Sequence, residues 1–371
     1  MKFNVKKTDI EKAFSHSIIL IPTRSTMTEL NNALLNLEKN KLTIYTTDLK
    51  VTFITTINVI SNDEGKIAVP IETIYQTLKS ISASEIQFSI DDETKKIKMK
   101  AGKGNYSISG IDSEKFPEIP KTINKNDIVF NTERLRKIIK TIKFAINTEE
   151  KRLSMSGTLM SCKKDKATFV TTDGHRLVKY SSKIENNKEN QDIIIPLNTL
   201  SIVEKLIDGE NTTISTDGKL ISFYFNNSTI ISSLIEEKYP NYDAVIPVEN
   251  NLTMRVGKQE FISSIRRVSL YANSSNYQIR LYLKKNEIVI SAKDIDFGKE
   301  AQEEIQCDYS GEDLEIGFNA EYLLDVASHL PGDEMIFKLQ SSTRAVLVEP
   351  EKEKDSTENI LMLLMPLRLN S

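Results

Sequence analysis

Seven consecutive residues near the middle of the chain, Thr171-Thr172-Asp173-Gly174-His175-Arg176-Leu177, hold its densest grouping of functional side chains. A carboxylate and an imidazole two positions apart could act as the acid/base pair of a hydrolase using Asp173 and His175. Such a pair works on a nucleophile or a metal. The sequence offers neither a Gly-x-Ser-x-Gly elbow nor a Walker loop. The same string reads as a β-turn with Asp-Gly at its corner. That reading leaves the residues after the turn as binding candidates without making them catalytic. Cys162, Cys307, His16, His175 and His329 are too few and too scattered for a Cys/His zinc site, so no metal and no cofactor are expected.

A second chemistry is carried by cations. Leu135, Ile138, Ile139, Ile142 and Ile146 form one apolar helical stripe, and Arg136, Lys140 and Lys143 recur on another face. Glu133 is the only acid opposing Arg134, Arg136, Lys137, Lys140 and Lys143. A later helix sets Lys258, Arg266 and Arg267 against Glu260, and an earlier one sets Lys6, Lys7 and Lys12 against Asp9 and Glu11, with Arg24 just beyond. A solvated face explains any one of these. Recurrence in three equivalent places favours a shared surface for phosphates, read without sequence and weakened by salt. The net charge of −3 excludes a protein that grips nucleic acid over its whole surface.

The elements that must position these residues repeat three times, with a period of roughly one third of the 371 residues. Each copy opens with an amphipathic helix, expected over Lys6–Leu20, Asn131–Asn147 and Gly257–Ala272. Each later runs a strand straight into a second helix, at Pro70, Pro196 and Asn319. Phe116-Pro117, Tyr239-Pro240 and Met365-Pro366 mark the three ends. The repeats are placed at 1–122, 128–249 and 252–371, with short polar linkers between them. Strands outnumber helices and do not alternate strictly with them, so the fold class is α+β with largely antiparallel sheets. A final strand is expected over Ile360–Leu369, and Glu349–Glu358 as an exposed loop. No apolar run approaches the roughly 18 residues of a membrane span, and the N-terminus lacks a signal core. Two cysteines in different repeats favour a reducing, cytoplasmic setting. A β-rich structural or adhesin-like repeat protein is the remaining alternative, against which the basic helix faces and the missing signal segment count.

The string Thr172-Asp173-Gly174-His175-Arg176-Leu177 resembles the Thr-Asp-Gly-His-Arg-Leu motif of the bacterial replicative sliding clamps, the beta subunits of DNA polymerase III. Thr46-Thr47-Asp48-Leu49, Leu314-Glu315-Ile316-Gly317-Phe318-Asn319 and Met365-Pro366-Leu367-Arg368-Leu369 resemble other segments of that family in order and spacing. The resemblance spans the chain. It implies three similar DNA-clamp domains, with antiparallel sheets outside and two helices per domain lining a central pore, in a ring-shaped head-to-tail homodimer. It implies a non-enzymatic processivity factor that encircles double-stranded DNA without regard to sequence. It also implies a hydrophobic cleft between the second and third domains for short linear motifs of the replicative polymerase subunit, the clamp loader and repair polymerases.

Residue by residue, the cleft implied comprises Met155, Thr172, Gly174, His175, Arg176, Leu177, Pro240, Val245, Ala345, Leu363, Met365, Pro366 and Leu367. The pore would present Arg24, Arg136, Lys140, Lys143, Arg266 and Arg267. The dimer interface would bring Tyr106 and Ile108 to Leu270 and Tyr271, with Glu300, Glu303 and Glu304 as charge partners. Ala244 stands where the family often has an Arg beside the cleft, which implies a weaker contact to a polar peptide residue.

Overall fold

The computed structural model describes residues 1–22, 25–123, 127–149, 152–184, 190–351 and 357–369. Six α-helices occur among them: α1 (Lys7–Ser17), α2 (Ile71–Ser80), α3 (Thr132–Ile142), α4 (Leu197–Leu206), α5 (Lys258–Ser269) and α6 (Ala320–His329). The first helix of each repeat is shorter than its apolar pattern predicts. In the first two repeats it tightens into a 3₁₀ turn, at Ile18–Leu20 and Lys143–Ala145, which lets the last turn satisfy its carbonyls. Each helix buries one stripe, such as Ile10, Ala13 and Phe14 of α1 or Phe261, Ile262, Ile265 and Val268 of α5. Among the described residues no helix is long and apolar enough to cross a membrane.

The chain forms two compact units, and their boundary cuts through the middle repeat. The first unit, residues 1–136 with 198–234, holds two sheets. One has four strands: Lys2–Lys6, Glu85–Ile90, Lys96–Ala101 and Gly104–Ser109. The other has eight, in the order Glu64–Pro70, Asn32–Glu38, Lys41–Thr47, Val51–Asn58, Ser228–Ser233, Leu220–Phe225, Asn211–Thr216 and Ile128–Asn131. Its largest core joins α1 and α2 to both sheets through Phe3, Phe14, Leu35, Ile74 and Phe88, with Phe3 and Phe88 stacked at 4.8 Å.

The second unit, residues 137–197 with 235–371, is built to the same plan. A nine-stranded sheet runs Gln191–Pro196, Gly157–Lys163, Lys166–Thr172, Arg176–Lys183, Glu358–Leu364, Val346–Pro350, Glu334–Leu339, Leu252–Gly257 and Asp308–Tyr309. A four-stranded sheet runs Lys299–Gln306, Glu287–Asp294, Gln278–Lys284 and Leu314–Asn319. The ladders described are antiparallel.

Each large sheet crosses a junction between repeats. Val51–Asn58 pairs with Ser228–Ser233, matching Thr52 to Ile231 and Ile54 to Thr229. Arg176–Lys183 pairs with Glu358–Leu364, matching Leu177 to Leu363 and Lys179 to Leu361. The strands corresponding to these in the leftover positions, Gly104–Ser109 and Lys299–Gln306, are sheet edges and largely exposed.

Two sequence expectations change. The last strand ends at Leu364, because Pro366 has no N–H for a ladder; the chain then makes one isolated bridge, Leu367 to Gly317. Glu349 is not in an exposed loop. It is buried in Val346–Pro350, where Lys338 donates to it at 2.9 Å. Glu358 opens the final strand, and 352–356 lie outside the described residues.

Candidate partner-binding site

The turn after Lys166–Thr172 folds around one carboxylate. Asp173 Oδ1 accepts the backbone N–H groups of His175 at 2.9 Å and Arg176 at 3.0 Å. Thr172 Oγ1 accepts the Gly174 N–H at 3.1 Å and donates to the Arg176 carbonyl at 2.8 Å. Gly174 sits at φ +92°, a backbone state that explains glycine at this corner. Asp173 Oδ2 accepts from Arg176 Nε at 3.0 Å. The carboxylate is therefore taken up by backbone and guanidinium rather than by the imidazole, and the acid/base pair is not formed.

Arg176 is the centre of the arrangement. Its guanidinium also donates to Asp325 on α6 and, at 3.1 Å, to the Phe144 carbonyl after α3. It stacks over Tyr322 at 4.6 Å and over Phe144 at 5.2 Å. The Phe144 ring lies on His329 at 4.4 Å, and the exposed His175 ring lies 5.6 Å from Tyr322. A planar fork suits two carboxylates, a carbonyl and two ring faces at once, which Lys could not do. Arg176 thus ties the second repeat to the third within this unit. Phe144, Tyr322 and Asp325 are not among the residues the sequence points to, since they come from two segments, one after α3 and one on α6, both distant in sequence from Arg176.

Beside the tie lies an apolar floor. Leu177 and Leu363, paired across the strands, join Leu159, Val170, Tyr239, Ala345 and Leu347 in one buried cluster. Half-buried Tyr242, Ile246 and Leu361 pack on its rim. Burial raises the pKa of both Tyr239 and Tyr242, so both phenols stay neutral. Lys179 donates to Asp243 at 2.6 Å and lies over the Tyr242 ring, clamping the segment that follows Pro240 to the sheet. Val245 and Met365 are exposed, Met155, Pro366 and Leu367 are partly so, and Ala244 is exposed. Met365 N donates to the His175 carbonyl at 2.8 Å, which brings the C-terminal segment to the turn. The residues expected for the cleft are therefore gathered in one unit as a buried floor with adaptable exposed edges.

The cations expected to face phosphate divide. Arg24 lies outside the described residues. Arg136 is occupied by Glu133 and by the carbonyls of Glu204 and Ile207 at the end of α4. Arg267 is held by both oxygens of Glu303 at 2.7 Å. Arg267 and Glu303 were expected on two different surfaces, and the structure makes them one pair. Lys140 and Arg266 are exposed, and Lys143 is partly so. On the edge strands Tyr106 is exposed, Ile108 half-buried, and Glu300 and Glu304 exposed; Leu270 and Tyr271, just past the end of α5, are exposed large apolar residues. Among the described residues no group of three or more His, Cys, Asp or Glu is placed to hold a metal ion.

Comparison with known proteins agrees over the full length. The family models for the DNA polymerase III beta subunit match its N-terminal domain at residues 1–120, its central domain at 129–241 and its C-terminal domain at 243–366. The beta sliding clamp of Caulobacter vibrioides is 26% identical, with all of each chain covered. That of Pseudomonas putida is 27% identical, again over both whole chains. The crystal structure of the DNA polymerase sliding clamp from Pseudomonas aeruginosa superposes with a TM-score of 0.93 at 25% identity, covering both chains completely. The three matched domains and the antiparallel sheets with their six helices converge on one assignment: the chain belongs to the DNA polymerase III beta subunit family, a sliding clamp that serves the polymerase as a non-catalytic processivity subunit.

Proposed function

We propose that two copies of this chain close head to tail around duplex DNA, with clamp domains at 1–122, 128–249 and 252–371. The observation that carries this reading is the pattern of sheet edges. Two junctions between repeats are sealed by strand pairing inside the chain, and the two strands that would seal a third are both exposed edges. Exposed edges invite pairing with another copy, and edge-to-edge addition is isologous or head-to-tail by geometry. Charge favours it as well. Lys96, Lys98 and Lys100 flank one edge, and Glu300 and Glu304 lie on the other. Tyr106 and Ile108 then meet Leu270 and Tyr271.

Exposed Lys140 and Arg266, with Lys143, supply the loose, salt-sensitive phosphate contacts of a ring that slides. Arg24 belongs to the same proposal, while Arg136 and Arg267 act first as ties within the fold. The cleft floored by Leu177, Leu363 and Ala345 receives short apolar motifs from the replicative polymerase subunit, the clamp loader and repair polymerases, and exposed Met365 repacks around each. Tethering raises the polymerase's effective concentration at the primer end. Such work belongs in the bacterial cytoplasm. Loaded protein should stay on circular DNA and be lost when the circle is cut; equal retention on both would sink the encirclement. Deleting residues 365–371 should abolish polymerase stimulation with the solution mass unchanged.

A further inference from the structure

The joint between the second and third repeats has a counterpart that none of the described residues fills. α2 and α6 are each ten residues long and begin after equivalent strands, so they align position by position. Thr73, Gln76 and Ser80 of α2 then correspond to Tyr322, Asp325 and His329 of α6. In α6 those three receive His175, Arg176 and Phe144, and all three are half-buried by the joint. Their α2 counterparts are exposed. With Glu72, Thr77 and Tyr106 they line an open concavity of about 570 Å³.

The other half of the joint is also duplicated, and its apolar residues are exposed, Phe297 carrying only Lys299 over its ring at 5.3 Å among the described residues. The turn between Glu287–Asp294 and Lys299–Gln306 occupies the place of the Asp173–Arg176 turn. Leu270 lies as far from the start of α5 as Phe144 does from the start of α3. Phe144 is covered by Arg176 and His329, whereas Leu270 is 74% exposed. In the turn, Ile295 is 81% and Phe297 72% exposed. Asn273 Nδ2 reaches Asp294 at 3.3 Å and Asp296 at 3.4 Å, which holds the turn beside the segment following Leu270. Ile295 and Phe297 at the sheet edge and Leu270 at the end of α5 are large apolar side chains left in water, and such a surface is made to be covered.

We infer that this apolar turn docks on the α2 concavity of a second copy, with Ile295 and Phe297 seated against Thr73 and Gln76 and Leu270 against Ser80 and Tyr106. The inference rests on the head-to-tail pairing proposed above and adds a contact to it, separate from the edge strands. Its chemistry differs from the joint within the chain. There a cation is shared among two carboxylates and two aromatic rings; between copies an apolar hook enters a cup lined by Thr73, Gln76, Thr77, Ser80 and the Tyr106 ring, with Glu72 as its one charged residue. The two joints should therefore respond differently to salt, the hook being the less sensitive.

The test uses the full chain in a Cys307→Ser background, with Asp296→Cys and Gln76→Cys introduced together and a short bismaleimide as the probe. A covalent species of twice the chain mass is expected, along with a dimer dissociation constant raised on the order of 10-fold or more by Phe297→Ala. A dimer that forms by light scattering, weakens with Tyr106→Ala, yet neither cross-links nor responds to Phe297→Ala would overturn the hook and leave the head-to-tail reading standing. A chain that stays monomeric at every concentration would remove that reading, and the hook with it.

Discussion

The first and second repeats carry the same turn, and each then reaches the repeat that follows, the first through a carboxylate that accepts from Asn198 at 3.3 Å and the second through a guanidinium. In the first, Asp48 Oδ1 accepts the N–H groups of Lys50 at 2.9 Å and Val51 at 2.6 Å. Thr47 Oγ1 accepts the Leu49 N–H and donates to the Val51 carbonyl, both at 3.0 Å. Leu49 takes φ +75°, as Gly174 takes +92°. The frame recurs once more at Thr216-Asp217-Gly218. A Thr-Asp turn is thus a folding device that joins two antiparallel strands in this chain. What differs is the residue that leaves it. Val51 is buried, whereas Arg176 sends a guanidinium into the next repeat, beside an apolar floor. The two turns share a shape, and the residue that leaves each is what distinguishes them.

The comparison breaks most readily at Arg176. Arg176→Ala leaves Asp173 and Asp325 without their shared cation, and should cost about 2–4 kcal/mol in urea unfolding. Lys50→Ala in the first repeat should stay within about 0.5 kcal/mol. Equal losses would mean that the second turn is no more than the first. A finer test swaps the carboxylates for amides. Asn still accepts the two backbone N–H groups, so Asp48→Asn, which gives up only the 3.3 Å bond accepted from Asn198, should cost less than about 0.5 kcal/mol, while Asp173→Asn loses the charge-assisted bond to Arg176 and should cost about 1–2 kcal/mol. Smaller again is the corner residue. Gly174→Ala should destabilise by about 1 kcal/mol, and Leu49→Gly, at a similar positive φ and on an exposed side chain, should stabilise by up to about that amount. Two changes of the same sign would show that the corners are not equivalent.

The threefold repeat, the antiparallel α+β class and the Thr-Asp-Gly-His-Arg-Leu turn were all legible in the residues, because periodicity and turn chemistry are local. The helix lengths were overestimated by the 3₁₀ turns that close α1 and α3, whose apolar residues continue the stripe past the last α-helical bond. Sheet continuity across the repeats was not legible, since Thr52 meets Ile231 through a ladder that no short window contains. The cations show the same limit. Arg136 and Lys140 look alike along the sequence, one turn apart on a helix face. Only the fold reveals that the end of α4 offers carbonyls to the first and leaves the second exposed. A basic stripe reports charge, and charge alone does not say whether the partner is a phosphate or the protein's own backbone.

The exposed pair Arg267–Glu303 supplies the mildest contrast with the Arg176 tie. Both are two-pronged guanidinium contacts, but one is largely enclosed and the other stands in solvent. The bonds from Arg267 hold the Glu303 carboxyl below the usual carboxylate range. A depressed folded-state pKa means that the unfolded chain binds the proton more readily. This pair's contribution is therefore present above the ordinary glutamate pKa and lost as pH falls through the folded value. Because solvent screens the pair, Arg267→Gln should leave unfolding at pH 7 unresolved from the parent and still return Glu303 to an ordinary titration by NMR. Glu303 titrating with the other exposed glutamates in the unmodified protein would contradict the pair. A large loss of stability in Arg267→Gln at neutral pH would instead put this arginine in the same class as Arg176, and the distinction between a tie and a surface pair would fail.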